Sequence, residues 1–144
     1  MGWSIGYDHG LKRDVGYGVP CICEYPGCNE EINRGLGYVC GDMHGEDEDS
    51  CALYFCEKHG GISRCDRCED GKDPYEPKPD TQEWVDHKMT HHSWEKWRKG
   101  NGHPEPDPVT THPDVCTFCE SKVTLEDGWW ICKLCDSCYG REAT

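Results

Sequence analysis

Apolar side chains are scarce in this chain. Only 35% of its 144 residues are hydrophobic, phenylalanine occurs twice and methionine three times. No stretch approaches the ~20 apolar residues of a membrane-spanning helix, so no helical membrane span is expected. So little apolar surface cannot by itself offset the conformational entropy lost on folding, and a fold of this kind needs covalent or metal staples. Basic residues are also few, with 15 Lys and Arg against 28 Asp and Glu and a formal charge of −13. A surface of that sign repels phosphate backbones at long range and suits a basic protein partner better than nucleic acid. The nucleophile elbow, the phosphate-binding loop and the dinucleotide fingerprint are missing too, so no enzyme is expected. The opening MGWSIGYDHG lacks the apolar run of a signal peptide, and Gly6 stands where a myristoylation pattern needs Ser or Thr. The expected location is therefore a reducing cytoplasm.

What the chain has in abundance is cysteine, 13 in all, much of it in C-x2-C units. Two thiolates at that spacing curl round one ion, so metal is preferred to disulfides and zinc to iron–sulfur. Eight of the cysteines lie between Cys21 and Cys68, where the ligands fall into four successive pairs. The pairs are Cys23 with Cys28, Cys40 with Cys51, Cys56 with His59, and Cys65 with Cys68. In a cross-brace the first and third pairs share one zinc and the second and fourth share another. Site 1 is then Cys23, Cys28, Cys56 and His59, and site 2 is Cys40, Cys51, Cys65 and Cys68. Cys21 is an alternative to Cys23, which is preferred because a Tyr25-Pro26-Gly27 turn closes its loop to Cys28. His44 is an alternative within the widely spaced Cys40/Cys51 pair. A third site comes from Cys116, Cys119, Cys132 and Cys135, two knuckles separated by a dozen residues as in a zinc ribbon. Cys138 competes with Cys135 there. Eleven bound thiolates and three zinc ions would carry the net charge to about −18.

Between the metal ligands the expected elements are short. Residues 1–20 alternate at strand period around Asp8-His9-Gly10, which places Trp3 and Tyr7 in the core. Two strands are expected at Gly37–Cys40 and Ala52–Cys56, joined by a loop carrying Glu46, Asp47, Glu48 and Asp49. That loop is a solvated acidic tip or a docking site for basic residues. Residues 70–80 read as a Pro-rich linker, 81–100 as one tryptophan-rich helix capped by Asp80 or Thr81, and 101–113 as a second linker. Trp84, His87, His91, Trp94 and Arg98 step by three or four, with Trp97 beside the stripe. The tryptophans are candidate partner contacts. His87, His91 and His92, with His103 or His112, are either helix packing or a further metal site. Residues 114–144 hold the ribbon, with a Val123–Leu125/Gly128–Ile131 hairpin turning at Asp127-Gly128. The fold class is thus a small zinc-stapled α+β protein: an arm plus cross-brace module over residues 1–69, a helix, and a ribbon. A zinc-deaminase pattern is met only loosely by His44-Gly45-Glu46 and Cys65-Asp66-Arg67-Cys68, since Arg64 replaces the usual proline.

The ligand order of residues 21–68 resembles the RING, PHD and related cross-brace fingers, which implies a protein-binding module folded by zinc. The histidine is sixth in order here, whereas RING has it fourth and PHD fifth. Glu24, Asp66-Arg67 and Ser63 replace the apolar residue, the proline and the tryptophan those families use in binding. More of the chain, roughly residues 2–100, is similar to a group of small proteins encoded by tailed phages and prophages. The stretches that carry this likeness are GWSIGYD, KRDVGYGVP, INRGLGYVCG, LYFCEKH, CDRC and HHSWEKWR. It implies a bacterial or phage-infected cytoplasm and supplies no activity. The expected function, taken from the closed metal sites and the missing catalytic motifs, is non-enzymatic protein binding with a host protein as candidate partner. A second class of function is association with nucleic acid through the ribbon and the basic helix end (Lys96, Arg98, Lys99), or mimicry of nucleic acid by the acidic surface.

Overall fold

The computed structural model describes residues 5–41, 48–60 and 63–143. Trp3, His44, Glu46 and Asp47 lie outside them. The chain divides into two compact units, Met1–Trp84 and Val85–Thr144.

The first unit is a series of minimal hairpins. β1 (Gly6–Asp8) pairs antiparallel with β2 (Arg13–Val15), β3 (Pro20–Ile22) with β4 (Glu31–Asn33), and β5 (Tyr38–Val39) with β6 (Tyr54–Phe55). A single turn of helix, α1 (Asp66–Glu69), follows. Asp8 closes the first turn by accepting from the amides of Gly10 and Leu11 at 2.8 and 3.1 Å. Isolated hairpins this short are not stable in water, so their stability comes from what they pack around. That core is Leu53 and Phe55 set among Cys23, Cys40, Cys56 and Cys65. Tyr7, expected inside, is 50% exposed. It sits in a two-stranded ribbon, with the edge of His9 at 5.0 Å.

An ionic layer supports this sparse core. Glu24, 2% exposed, pairs with the buried Arg13 and accepts from the Tyr54 amide at 2.7 Å. Residues 70–80 are tied down rather than free to act as a linker. The Lys78 ammonium donates to the carbonyls of Cys23, Tyr25 and Cys28 at 2.6, 3.2 and 2.6 Å, and its amide donates to Glu24 at 3.1 Å. Asp80 pairs with the buried Arg34 at 2.9 Å. Trp84, 3% exposed, donates its indole N–H to the buried Asp14 at 3.0 Å.

The expected single helix over 81–100 is broken. α2 (Gln82–Thr90), with Thr81 Oγ1 accepting from the Trp84 amide, stops before His91. His91 is extended (φ −79°, ψ 140°) and caps a 3-10 turn, His92–Trp94, which runs into α3 (Glu95–Gly100). Arg98 stabilises the break. Its guanidinium, 0% exposed, donates to the carbonyls of Lys88 and His91 at 2.6 and 2.9 Å and pairs with Glu105. Heptad-like spacing could not reveal this, because the competing partner for those carbonyls is a side chain one helix further on.

The second unit also holds a four-stranded sheet in the order β7 (Pro108–Val109), β10 (Cys138–Glu142), β9 (Trp129–Cys132), β8 (Val123–Glu126). The β8–β9 hairpin turns at Asp127 and Gly128, both at positive φ (48° and 84°), the conformation a two-residue hairpin loop prefers. β7 lies within the stretch read as a Pro-rich linker and pairs parallel with β10. Among the described residues no helix is long and apolar enough to cross a membrane. The molecule is a small mixed α/β protein whose folded units surround cysteine clusters.

Candidate metal centres

Each cluster is built from tight turns. Tyr25-Pro26-Gly27-Cys28 is a turn with proline second and glycine third (φ 80°), closed by the Cys28 amide on the Tyr25 carbonyl at 3.1 Å. It brings Cys28 back toward Cys23. His59 and Gly60 donate to the Cys56 carbonyl at 3.0 and 2.8 Å, and Glu69 to that of Cys65 at 2.9 Å. The C-terminal knuckles repeat one another in sequence, Cys116-Thr-Phe-Cys119-Glu120-Ser121 and Cys132-Lys-Leu-Cys135-Asp136-Ser137. They repeat in structure as well. Glu120 and Asp136 both adopt positive φ (58° and 57°) and donate to the Cys116 and Cys132 carbonyls at 2.9 and 2.8 Å.

These turns gather the ligand atoms of Cys23, Cys28, Cys56 and His59, of Cys40, Cys51, Cys65 and Cys68, and of Cys116, Cys119, Cys132 and Cys135. Within each set every ligand atom lies within 4.8 Å of the others. Cys21 and Cys138 stand outside all three sets. All thirteen cysteines are free of disulfides.

The donor chemistry fits zinc. Four thiolates about 2.3 Å from a tetrahedral zinc lie about 3.8 Å from one another, whereas disulfide sulfurs lie about 2.05 Å apart. Cys28 and Cys56 are 3.9 Å apart, and Cys51 and Cys65 3.8 Å. In the third set Cys116–Cys135 and Cys119–Cys132 are 3.4 Å apart and Cys119–Cys135 3.5 Å. His59 presents Nδ1 to Cys56 and Cys23 at 3.2 and 3.7 Å, and its ring stacks on Tyr25 at 4.0 Å. Backbone amides also point at the sulfurs: Cys56 at Cys23 Sγ (3.3 Å), Cys65 at Cys40 Sγ (3.2 Å) and Phe118 at Cys116 Sγ (3.4 Å). Such donors stabilise a thiolate and fix its direction. Tyr139, which the spacing of cysteines did not single out, adds a hydroxyl donor to Cys116 Sγ at 3.1 Å.

Ionisation within the sets is uneven. Burial pushes the Cys116 thiol up, but the Tyr139 hydroxyl, the Phe118 and Cys119 amides and Cys135 outweigh it and bring it down to about 5. Burial raises Cys23 and Cys68 to about 11 each, and raises Cys51 further. Four adjacent sulfurs cannot all carry charge without a cation among them. A divalent ion supplies that charge, and thiolate–imidazole sets with four protein ligands are the closed, structural kind. Cys21 has a different environment. It is 2% exposed in β3, and burial raises its thiol to about 11 despite the nearby Arg34, so it is a protonated core residue.

The candidate partner contacts fare differently from one another. Trp84 is in the core of the first unit and offers no indole face to a partner. Trp94 and Trp97 are half-buried around the Lys88 ammonium, which lies 4.9 and 3.9 Å from their ring centres. Glu48 and Asp49 are exposed, and Asp49 lies 3.8 Å from Arg64. Arg98 is buried and cannot serve a phosphate. Lys96 and Lys99 are exposed, the latter paired with Glu95. Two strongly exposed apolar residues, Phe118 (80%) and Leu134 (73%), occupy the same position of the two C-terminal knuckles. The repeated Cys-x-apolar-Cys pattern was the signal for them. His103 stacks on Trp97 at 4.7 Å and His112 on Trp130 at 3.5 Å, so neither joins a metal set. Burial holds His87 and His91 below the usual histidine range.

Comparison with known protein families, with curated proteins and with solved structures returns no match.

Proposed function

We propose that this protein is a non-enzymatic, zinc-folded adaptor that binds another protein. In this reading the first unit is a cross-brace module and the second carries a zinc ribbon. The observation that carries it is the closure of the three cysteine-rich sets. Each has four protein donors and no position left for substrate or water, so zinc serves the fold and the working surface lies elsewhere. Phe118 and Leu134 supply such a surface, since large apolar side chains held out on rigid knuckles of a highly acidic chain favour a partner with apolar pockets and basic rims. The knuckles of the first unit have charged tips instead, Glu57-Lys58 and Asp66-Arg67. The sequence likeness to phage-encoded proteins makes a bacterial host protein the class of partner to look for.

The test is affinity capture from bacterial lysate with the zinc-loaded wild type beside a Phe118→Ser/Leu134→Ser variant. A protein retained by the wild type and lost by the variant, with both holding equal zinc, is the expected result. The same proteins on both, or none on either, would count against the reading. The charge of −13 also supports a second reading, mimicry of nucleic acid toward a DNA-binding protein. Displacement of DNA from the captured partner would favour it.

A further inference from the structure

A fourth cluster of metal-binding side chains lies at the helix break. Adjacent residues on an unbroken helix point about 100° apart and do not face one another. Here α2 ends at Thr90, His91 is extended and His92 begins the 3-10 turn, which sets the two imidazoles 4.5 Å apart between ring centres. The second knuckle brings a carboxylate to them. His92 Nε2 lies 2.9 Å from Asp136 Oδ1, and His91 Nε2 lies 3.1 Å from the Asp136 carbonyl. The donor atoms of His91, His92 and Asp136 all lie within 4.8 Å of one another. Asp136 is held there by its left-handed backbone (φ 57°) and by the hydrogen bond its amide donates to the Cys132 carbonyl.

We propose that His91, His92 and Asp136 form an exchangeable site for a divalent transition-metal ion, zinc or nickel. Two imidazoles and one carboxylate suit such ions and leave at least one coordination position to water. The three cysteine-rich sets leave none. His91 Nδ1 accepts from the Ser93 amide at 3.3 Å and lies 2.8 Å from Ser93 Oγ, which orients the ring, and an ion at Nε2 would replace the hydrogen bond from that nitrogen to the Asp136 carbonyl. His87 stacks on the far side of His91 at 4.6 Å and holds its plane. Without a metal the same three residues would simply hydrogen-bond to one another, so the test must separate a tether from a ligand set.

Protein carrying three tightly held zinc ions is titrated with zinc, and separately with nickel, by calorimetry and native mass spectrometry. His92→Gln and Asp136→Asn are titrated alongside. Both replacements keep a hydrogen-bonding group, and asparagine tolerates positive φ. The expected result is one further ion at micromolar free metal for the wild type, and binding at least tenfold weaker in each variant with the three tight ions retained. Wild type that takes up no fourth ion, or a fourth ion bound equally by the variants, would overturn the proposal. Because Asp136 adjoins Cys135, any loss of a tight ion from Asp136→Asn leaves His92→Gln to decide.

Discussion

Glu24 shows how much one side chain carries when the apolar core is small. Its carboxylate serves Arg13, the Tyr54 amide and the Lys78 amide together, at 2% exposure. Removing one partner of a buried pair leaves the other charge uncompensated, so Glu24→Ala should cost about 3–5 kcal/mol. Glu24→Gln should cost less, because it keeps an acceptor for one amide. Urea unfolding of zinc-saturated protein measures both, and an Ala variant as stable as wild type would remove Glu24 from this role. The same residue accounts for a departure from the RING pattern noted in the sequence. Where that family places an apolar side chain for a partner, this chain places an anion for its own Arg13. Cysteines of similar burial separate just as clearly. Cys21→Ala and Cys138→Ala should each leave the tight zinc count unchanged, whereas Cys23→Ala should lower it by one, read by native mass spectrometry.

Arg98 decides the shape of the segment between the units' metal clusters. The break at His91 frees the Lys88 carbonyl, which Arg98 satisfies, and Arg98 also joins the Trp94 amide as a second donor to the His91 carbonyl. Arg98→Met keeps much of the volume but removes the guanidinium donor from the Lys88 carbonyl, one of two donors from the His91 carbonyl, and the cation that pairs with Glu105. It should destabilise the second unit by about 2–4 kcal/mol. Loss of amide protection around residues 88–98 in hydrogen exchange would mark the place, and unchanged protection would refute the assignment. The elements differ in how legible they were. The β8–β9 hairpin was readable because Asp127-Gly128 names its own turn, and the ligand sets were readable because C-x2-C knuckles are local. The parallel β7–β10 pair was not, since nothing in Pro108-Val109 announces a partner some thirty residues away. Trp84 and Arg98 looked like surface stripe residues because helical periodicity says which residues share a face, not what that face meets.

At the scale of the molecule, metal and fold should be inseparable. A first core in which four of the six buried residues are cysteines cannot hold together once the ions leave. A strong chelator should therefore unfold the first unit, seen as loss of near-ultraviolet ellipticity and recovered on adding zinc. Retention of that signal in metal-free protein would show that the hairpins stand alone. Loading also has a pH dependence of definite sign. Cysteine thiols ordinarily titrate at about 8.5, so those of the metal-free chain are mostly protonated near neutrality. Zinc must displace those protons, so its affinity should fall as pH falls, and an indicator dye should record proton release on loading.

The interleaving of ligands has a consequence for the order in which the chain is made. The first four ligands to leave the ribosome are Cys23, Cys28, Cys40 and Cys51, a complete set of thiolates that belongs to no single site in the finished protein. A zinc ion captured at that moment is held by the wrong company. If the proposed crossed sites are the final ones, Cys56 and His59 would have to draw that ion off as they arrive, and the freed pair would wait for Cys65 and Cys68. In the crossed reading proposed above, synthesis would thus offer a sequential pairing first, and maturation would have to exchange it for the crossed one.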